Sequence, residues 1–400
     1  MKKHAFTYVI VGGGLSGASA VEGIRERDAT GSILLIGDEK HLPYNRPPLS
    51  KQLWFGKTRV EDIFIHDQDY YRQQGVTVLS TARAAKVDPE GKTLTLDNGD
   101  NYRFDKLLLA TGVSPRKLSI PGGDLDGVCY FRNLDDYERI QARVATAESA
   151  LVIGGGFIGS ELAAALNTNL HVTLLFPSAY ICNRVFPKLL GLAVQRKFQE
   201  RGVRVLDSEM PTSIARSNGG FVTLTTGGKQ ILSDLVIVGV GTEPNVHLAQ
   251  VAGLEVGDGI VVDEYLRTSH PDIYAAGDVA FFPHAALGQR MRIEHWDNAL
   301  NQGKWAGRNM AGAEEVFDYQ PFFFSDLFEF GYEATGEVSS KLDTFADWKK
   351  EFETGVVYYL ADGKVRGVMM CNVWDKVDAA RELIRKGETV SHESLLGLIR

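Results

Sequence analysis

The sequence predicts an α/β protein in which one doubly wound domain type occurs twice, followed by a smaller α+β domain. Three observations carry this. An apolar strand, a Gly-rich turn and an Ala-rich helix appear as Tyr8-Val9-Ile10-Val11 into Gly12-Gly13-Gly14-Leu15-Ser16-Gly17, and again as Leu151-Val152-Ile153 into Gly154-Gly155-Gly156-Phe157-Ile158-Gly159. Each helix leads to another β-like run, Ser32 to Gly37 and His171 to Phe176, which completes a βαβ unit with a parallel sheet. From about Phe317 the chain turns aromatic, with β segments at Phe322-Phe323-Phe324 and Val356 to Leu360, a turn at Asp362-Gly363 and a basic amphipathic helix after Asp378. Between the copies, Thr93-Leu94-Thr95-Leu96 and Phe104 to Ala110 flank the turn Asp97-Asn98-Gly99, and a similar hairpin runs from Phe221 to Leu232. The expected division is a split first domain at 1–112 and 245–315, a second at 113–244 and a third at 316–400.

Bulk properties narrow the function classes. The 43 basic and 51 acidic residues give a net charge of −8, spread along the chain, so no nucleic-acid footprint is present. No apolar run reaches the ~18 to 20 residues of a membrane helix. The first strand is expected by about Phe6, which leaves no room for a leader and places the protein in the cytoplasm. Cys129, Cys182 and Cys371 are too far apart for a paired motif and read as small buried hydrophobes. The nine His show no His-Glu-x-x-His spacing, and Gly14-Leu15-Ser16-Gly17 is not a nucleophile elbow. Neither a metal site nor a Ser hydrolase is expected.

The glycine turns carry chemistry. Gly12 makes the tight turn, Gly14 lets backbone N–H groups approach a pyrophosphate, and Gly17 permits close helix–strand packing. Asp38 or Glu39, about 20 residues on, can accept from a ribose hydroxyl. The full dinucleotide fingerprint favours FAD over FMN. The second copy ends its strand in Leu174-Leu175-Phe176-Pro177-Ser178, with neither the acid that favours NAD nor an Arg for a 2′-phosphate, so NADH and NADPH both remain open. Two nucleotide folds need two nucleotides, and a held flavin with an exchanging nicotinamide is the economical pair.

Further runs sharpen this. Leu107-Leu108-Leu109-Ala110-Thr111-Gly112, Ile273-Tyr274-Ala275-Ala276-Gly277-Asp278 and the two Gly turns together resemble the glutathione-reductase-like flavoproteins with two Rossmann-like dinucleotide-binding domains. Tyr44-Asn45-Arg46-Pro47-Pro48-Leu49-Ser50-Lys51 resembles the ferredoxin reductases of oxygenase systems. Apoptosis-inducing factor is similar in more places: Lys51 to Phe55, Phe157 to Leu162, Arg292-Ile293-Glu294-His295, Phe324-Ser325-Asp326-Leu327, Gly331 to Ala334 and Gly367 to Trp374. The mitochondrial leader and the long C-terminal insertion of that family are not seen, so a cell-death role is not implied.

The resemblance implies roles. Asp278, at a strand end and helix start, would bond the FAD ribityl chain, while Arg46, Lys51 and Arg132 would contact the flavin nucleotide. Leu15, Ser16, Ala84, Ala110, Thr111, Gly112 and Gly277 would complete that site. Lys51 would sit beside the flavin ring and pair with Glu161, although residue type alone reads both as unrelated surface charges on helices. Gly154, Gly156, Phe157, Ile158, Gly159 and Gly241 would hold the nicotinamide nucleotide. Glu294, His295 and Trp296 lie where the family covers the flavin, and Phe324 stands where apoptosis-inducing factor has Trp, which keeps an aromatic wall but loses an indole donor.

Disulfide reductases of this fold carry a Cys-x4-Cys pair on the first helix, and peroxide-linked members a single Cys near residues 43–46. This chain has no Cys before Cys129, so electrons must leave directly to an external acceptor. The expected protein is an FAD-dependent NAD(P)H oxidoreductase serving a ferredoxin or rubredoxin. Its rival is an NADH-sensing protein like apoptosis-inducing factor, with slow NADH oxidation and redox-controlled homodimer formation or partner binding.

Overall fold

The computed structural model describes residues 4–400. Contacts divide the chain into two compact units. The first ends its opening segment at Asn45 and adds Val60–Ser114 and Pro244–Pro321; the second comprises Arg46–Arg59, Pro115–Glu243 and Phe322–Arg400. Arg46–Arg59, expected in the first domain, thus packs with the second unit, as does the C-terminal stretch from Phe322.

In the first unit the strands run in the order Val76–Leu79, Ile33–Ile36, His4–Val11, Asn101–Leu109, Thr93–Leu96, Ala84–Asp88, and Ile273–Ala275 also pairs with Asn101–Leu109. The first four and Ile273–Ala275 are parallel, whereas the Thr93 and Ala84 strands are antiparallel. The sequence follows the burial: Ile33-Leu34-Leu35-Ile36 is covered on both faces, as an unbroken apolar run requires. Helix Leu15–Arg25 is built of small residues and packs against helix Trp296–Met310. A Cβ on Gly303 would lie 2.3 Å from the Ser16 carbonyl oxygen, and one on Gly23 2.1 Å from that of Lys304, so this crossing depends on glycine.

The turn after the first helix is tied by charge. Arg25 donates 2.8 Å bonds to the carbonyls of Gln74, Asp28 and Gly31. Asp28 accepts from the N–H of Gly31 and Thr30 and from the Tyr8 hydroxyl, and these bonds hold its carboxyl down to about 2. An ordinary Asp titrates near ~3.9, so this group contributes stability above pH ~4 that is lost as pH falls through about 2. Wild type should therefore exceed Asp28→Asn in urea midpoint at pH 7, and the gap should close between pH ~4 and ~2. A gap independent of pH would remove the carboxylate from the explanation.

In the second unit five parallel strands run in the order Arg204–Leu206, His171–Leu175, Ser149–Ile153, Leu235–Val238, Val128–Tyr130. A three-stranded antiparallel sheet, Pro211–Ser217, Gly220–Thr225 and Gln230–Ser233, contains the expected hairpin. The C-terminal strands form an antiparallel sheet in the order Phe322–Leu327, Phe330–Gly336, Lys364–Cys371, Thr354–Ala361, Asp343–Lys350. Helix Val377–Lys386 seats Ala380 and Ile384 against that sheet and stops at Gly387, whose φ is +58°. Helix Leu134–Val144 begins with a reciprocal cap between Asn133 and Asp136.

Candidate functional site

The two glycine turns have one geometry, each within its own unit. Gly12 has φ +132° and Gly154 φ +126°, backbone that side chains with a Cβ rarely adopt. A Cβ would lie 2.1 Å from the Ala110 carbonyl oxygen at Gly12 and 2.2 Å from that of Gly239 at Gly154. Gly17 and Gly159 pack equally closely on the carbonyls of Gly12 and Gly154. Gly14 and Gly156 are the exception: each caps the N-terminus of the following helix, and a Cβ there would meet nothing within 4 Å. The helix N-terminus thus faces open space on both turns. That is the cradle an incoming pyrophosphate needs, with backbone N–H groups and the helix dipole behind it.

The first cradle brings its predicted neighbours together. The Ser16 hydroxyl donates to the Ala299 carbonyl at 2.8 Å, and Gly277, at φ +80°, lies against Ser16. Thr111 exchanges hydrogen bonds with Asn245, whose N–H also reaches the Gly112 carbonyl. Asp38 is exposed just beyond the second strand, and Glu39 accepts from the Tyr44 hydroxyl at 2.5 Å. Ala84 starts an antiparallel strand. One expectation is corrected: Asp278 opens no α-helix but lies in the single 3-10 turn Gly277–Val279, because the chain re-enters a strand at Ala280. The helix begins only at Trp296, with His295 as its N-cap. Burial pushes the His295 imidazole down to about 4, against the pull of the Asp278 carboxylate, so it is neutral at pH 7. Glu294 pairs with Arg292, and the Trp296 indole donates to the Asn45 side chain at 2.7 Å.

The second unit holds the charged pair. Lys51 and Glu161 are not surface charges: their side chains are 8% and 6% exposed, and Lys51 Nζ lies 3.3 Å from Glu161 Oε1. Lys51 Nζ also donates to the Phe324 carbonyl at 3.3 Å and sits 4.2 Å from the centre of the Phe324 ring. Glu161 lies in the helix Phe157–Leu166 that leaves the second glycine turn, while Lys51 follows the 3-10 turn Pro47–Ser50. Phe157, at the start of the same helix, packs on Phe323 with ring centres 5.5 Å apart, and Ile158 is exposed. Gly241 has φ +102° and its carbonyl accepts from the N–H of Arg116. The Arg46 guanidinium donates to the Arg132 carbonyl at 3.0 Å, and the N–H of Arg132 bonds the capping carboxylate of Asp136 at 2.9 Å.

Sequence reasoning missed Ser50, Ser325 and Phe323. The two serine hydroxyls donate to Glu161 Oε2 and Oε1 at 2.6 and 2.5 Å. Both lay inside runs already singled out, yet no spacing marks a serine as a partner of a distant carboxylate. All three cysteines are buried and unpaired. No helix among the described residues is long and apolar enough to cross a membrane.

Comparison with known proteins agrees with this geometry. Residues 6–303 match the family described as pyridine nucleotide-disulphide oxidoreductase, and residues 306–351 and 346–386 match the C-terminal domain of apoptosis-inducing factor. The chain is 33% identical to apoptosis-inducing factor 1 of Dictyostelium discoideum, covering 96% of this chain and 79% of that protein. It is 34% identical to the ferredoxin–NAD(+) reductase component of the anthranilate 1,2-dioxygenase system of Burkholderia cepacia, covering 95% and 94%. Among solved structures, putidaredoxin reductase in its covalent complex with putidaredoxin superposes with a TM-score of 0.91 at 31% identity, covering 97% of this chain and 95% of that one.

Proposed function

The chain belongs to the pyridine nucleotide-disulphide oxidoreductase family, and from that premise we propose that it is an FAD-dependent NAD(P)H oxidoreductase that hands electrons to an external ferredoxin- or rubredoxin-type carrier. The observation that carries this is the pair of matched glycine cradles combined with three cysteines that form no dithiol. FAD belongs on the first cradle, in a domain of residues 1–112 and 245–315, and NAD(P)H on the second, in residues 113–244. Bound flavin supplies the conversion of a hydride donor into one-electron steps, which a ferredoxin requires.

The chain's own residues then have defined tasks. Gly14 and Gly156 expose the N–H groups that bind each pyrophosphate, and Asp38 and Glu39 offer carboxylates for a ribose. As the family resemblance implies, Lys51 would supply a positive charge toward the flavin, and Glu161, its observed buried partner, would balance that charge. His295, buried and neutral at pH 7, carries no charge of its own. With no thiol pair as an internal relay, reducing equivalents leave to a soluble partner.

A second reading is favoured by one observation, the match of residues 306–386 to the apoptosis-inducing factor C-terminal domain. There NADH oxidation is slow and the reduced protein changes its self-association or its partners. An anaerobic stopped-flow mix of the yellow protein with NADH, then with a ferredoxin, separates the two. Bleaching at ~10 per second or faster, followed by ferredoxin reduction, supports the electron-supplying enzyme. Bleaching over many seconds with no transfer to ferredoxin supports the sensor. No bleaching by NADH or NADPH removes both.

A further inference from the structure

Glu161 receives more short contacts than an ion pair needs. Its oxygens take the Ser325 and Ser50 hydroxyls at 2.5 and 2.6 Å, while the Lys51 ammonium stays at 3.3 Å. Hydroxyl bonds to a carboxylate at full strength span ~2.5 to 2.7 Å and ammonium bonds ~2.7 to 2.9 Å. The hydroxyls are therefore fully engaged and the ammonium is not. Lys51 is instead shared among Glu161, the Phe324 carbonyl and the Phe324 ring.

The two hydroxyls come from distant segments and meet different oxygens. Ser50 ends the 3-10 turn that immediately precedes Lys51, and Ser325 lies on the first C-terminal strand, paired with Tyr332. Both serines are buried, at 4% and 2% exposure. A buried hydroxyl without a partner is costly, and each of these spends its one proton on Glu161. Two distant segments, Ser50-Lys51 and the strand of Ser325, converge on a carboxylate carried by a third, a geometry that lone charge balance would not demand.

We propose that Ser50 and Ser325 are positioning residues that hold the two Glu161 oxygens in place, so that the Lys51 charge is balanced without being clamped and its ammonium stays available for the hydride step. The proposal rests on the oxidoreductase reading above. Without the hydroxyls, the Glu161 oxygens lose their short donors and draw Lys51 into a closer pair, which alters what Lys51 presents.

The test compares FAD-loaded wild type, Ser325→Ala, Ser50→Ala and Ser325→Thr for NADH-driven bleaching at pH 7 over a range of NADH concentrations. Each serine is changed separately, so a folding failure in one leaves the other decisive. Both Ala variants should keep their FAD and show a limiting bleaching rate roughly 10-fold lower at pH 7, with the NADH concentration for half-maximal rate unchanged, because the carboxylate beside Lys51 has lost a fixed donor. Ser325→Thr should restore the rate. Wild-type rates in the Ala variants, a loss confined to the half-saturating NADH concentration, or slow bleaching that Thr does not rescue, overturn the proposal while leaving the oxidoreductase reading intact. A wild-type protein that NADH and NADPH both fail to bleach overturns that reading and the serine clamp with it.

Discussion

Gly12→Ala is expected to purify colourless, while Gly154→Ala stays yellow but is no longer bleached by NADH. At both positions backbone with φ near +130° is reserved for glycine, and forcing a Cβ into it costs about 1 to 3 kcal/mol. The larger effect is steric. The new Cβ would stand 2.1 Å from the Ala110 carbonyl oxygen or 2.2 Å from that of Gly239, both atoms of core strands or their ends, so the turn must move rather than the strand. A displaced turn misaligns the N–H groups that meet a pyrophosphate, and dinucleotide affinity falls with them. The ratio of flavin to protein absorbance reads the first variant, and calorimetric titration with NAD⁺ the second. Stoichiometric FAD in Gly12→Ala would sink the assignment of the first cradle.

Glu161→Ala is expected to leave FAD bound, to slow NADH-driven bleaching by about 10²- to 10³-fold, and to lower unfolding stability by about 3 to 5 kcal/mol. The stability cost follows from burial: the Lys51 side chain is 8% exposed, and removal of the carboxylate leaves an ammonium whose remaining partners among the described residues are the Phe324 carbonyl and ring. Breaking one half of a buried pair is far more damaging than replacing both halves. Urea unfolding followed by fluorescence measures the stability loss, and anaerobic stopped flow the bleaching rate. An unchanged bleaching rate would take Glu161 out of the mechanism whatever happened to stability.

Much of the fold was legible because its signals are local. The glycine turns are set within a few residues, where strand, φ > 0 turn and helix N-terminus follow directly on one another. The hairpin at Asp97-Asn98-Gly99 and the helix of Val377–Lys386 were readable for the same reason: turn chemistry and helical period act over one to three turns of chain. Asp278 was misjudged within that local window, since a strand followed by Gly-Asp reads alike whether a helix or a single 3-10 turn comes next.

Tertiary structure alone decided the rest. Residue type cast Lys51 and Glu161 as surface charges, and only the family resemblance joined them; the fold buried both. Ser50 and Ser325 carried no signal at all, because a serine becomes a carboxylate's donor only when distant segments of chain meet in space. By itself the sequence determined the two dinucleotide turns and the absence of a dithiol, properties written in consecutive residues or in composition. Which charges are buried, and which hydroxyls hold them, depends on desolvation and on hydrogen-bond geometry accurate to a few tenths of an ångström, and these exist only once the chain has packed.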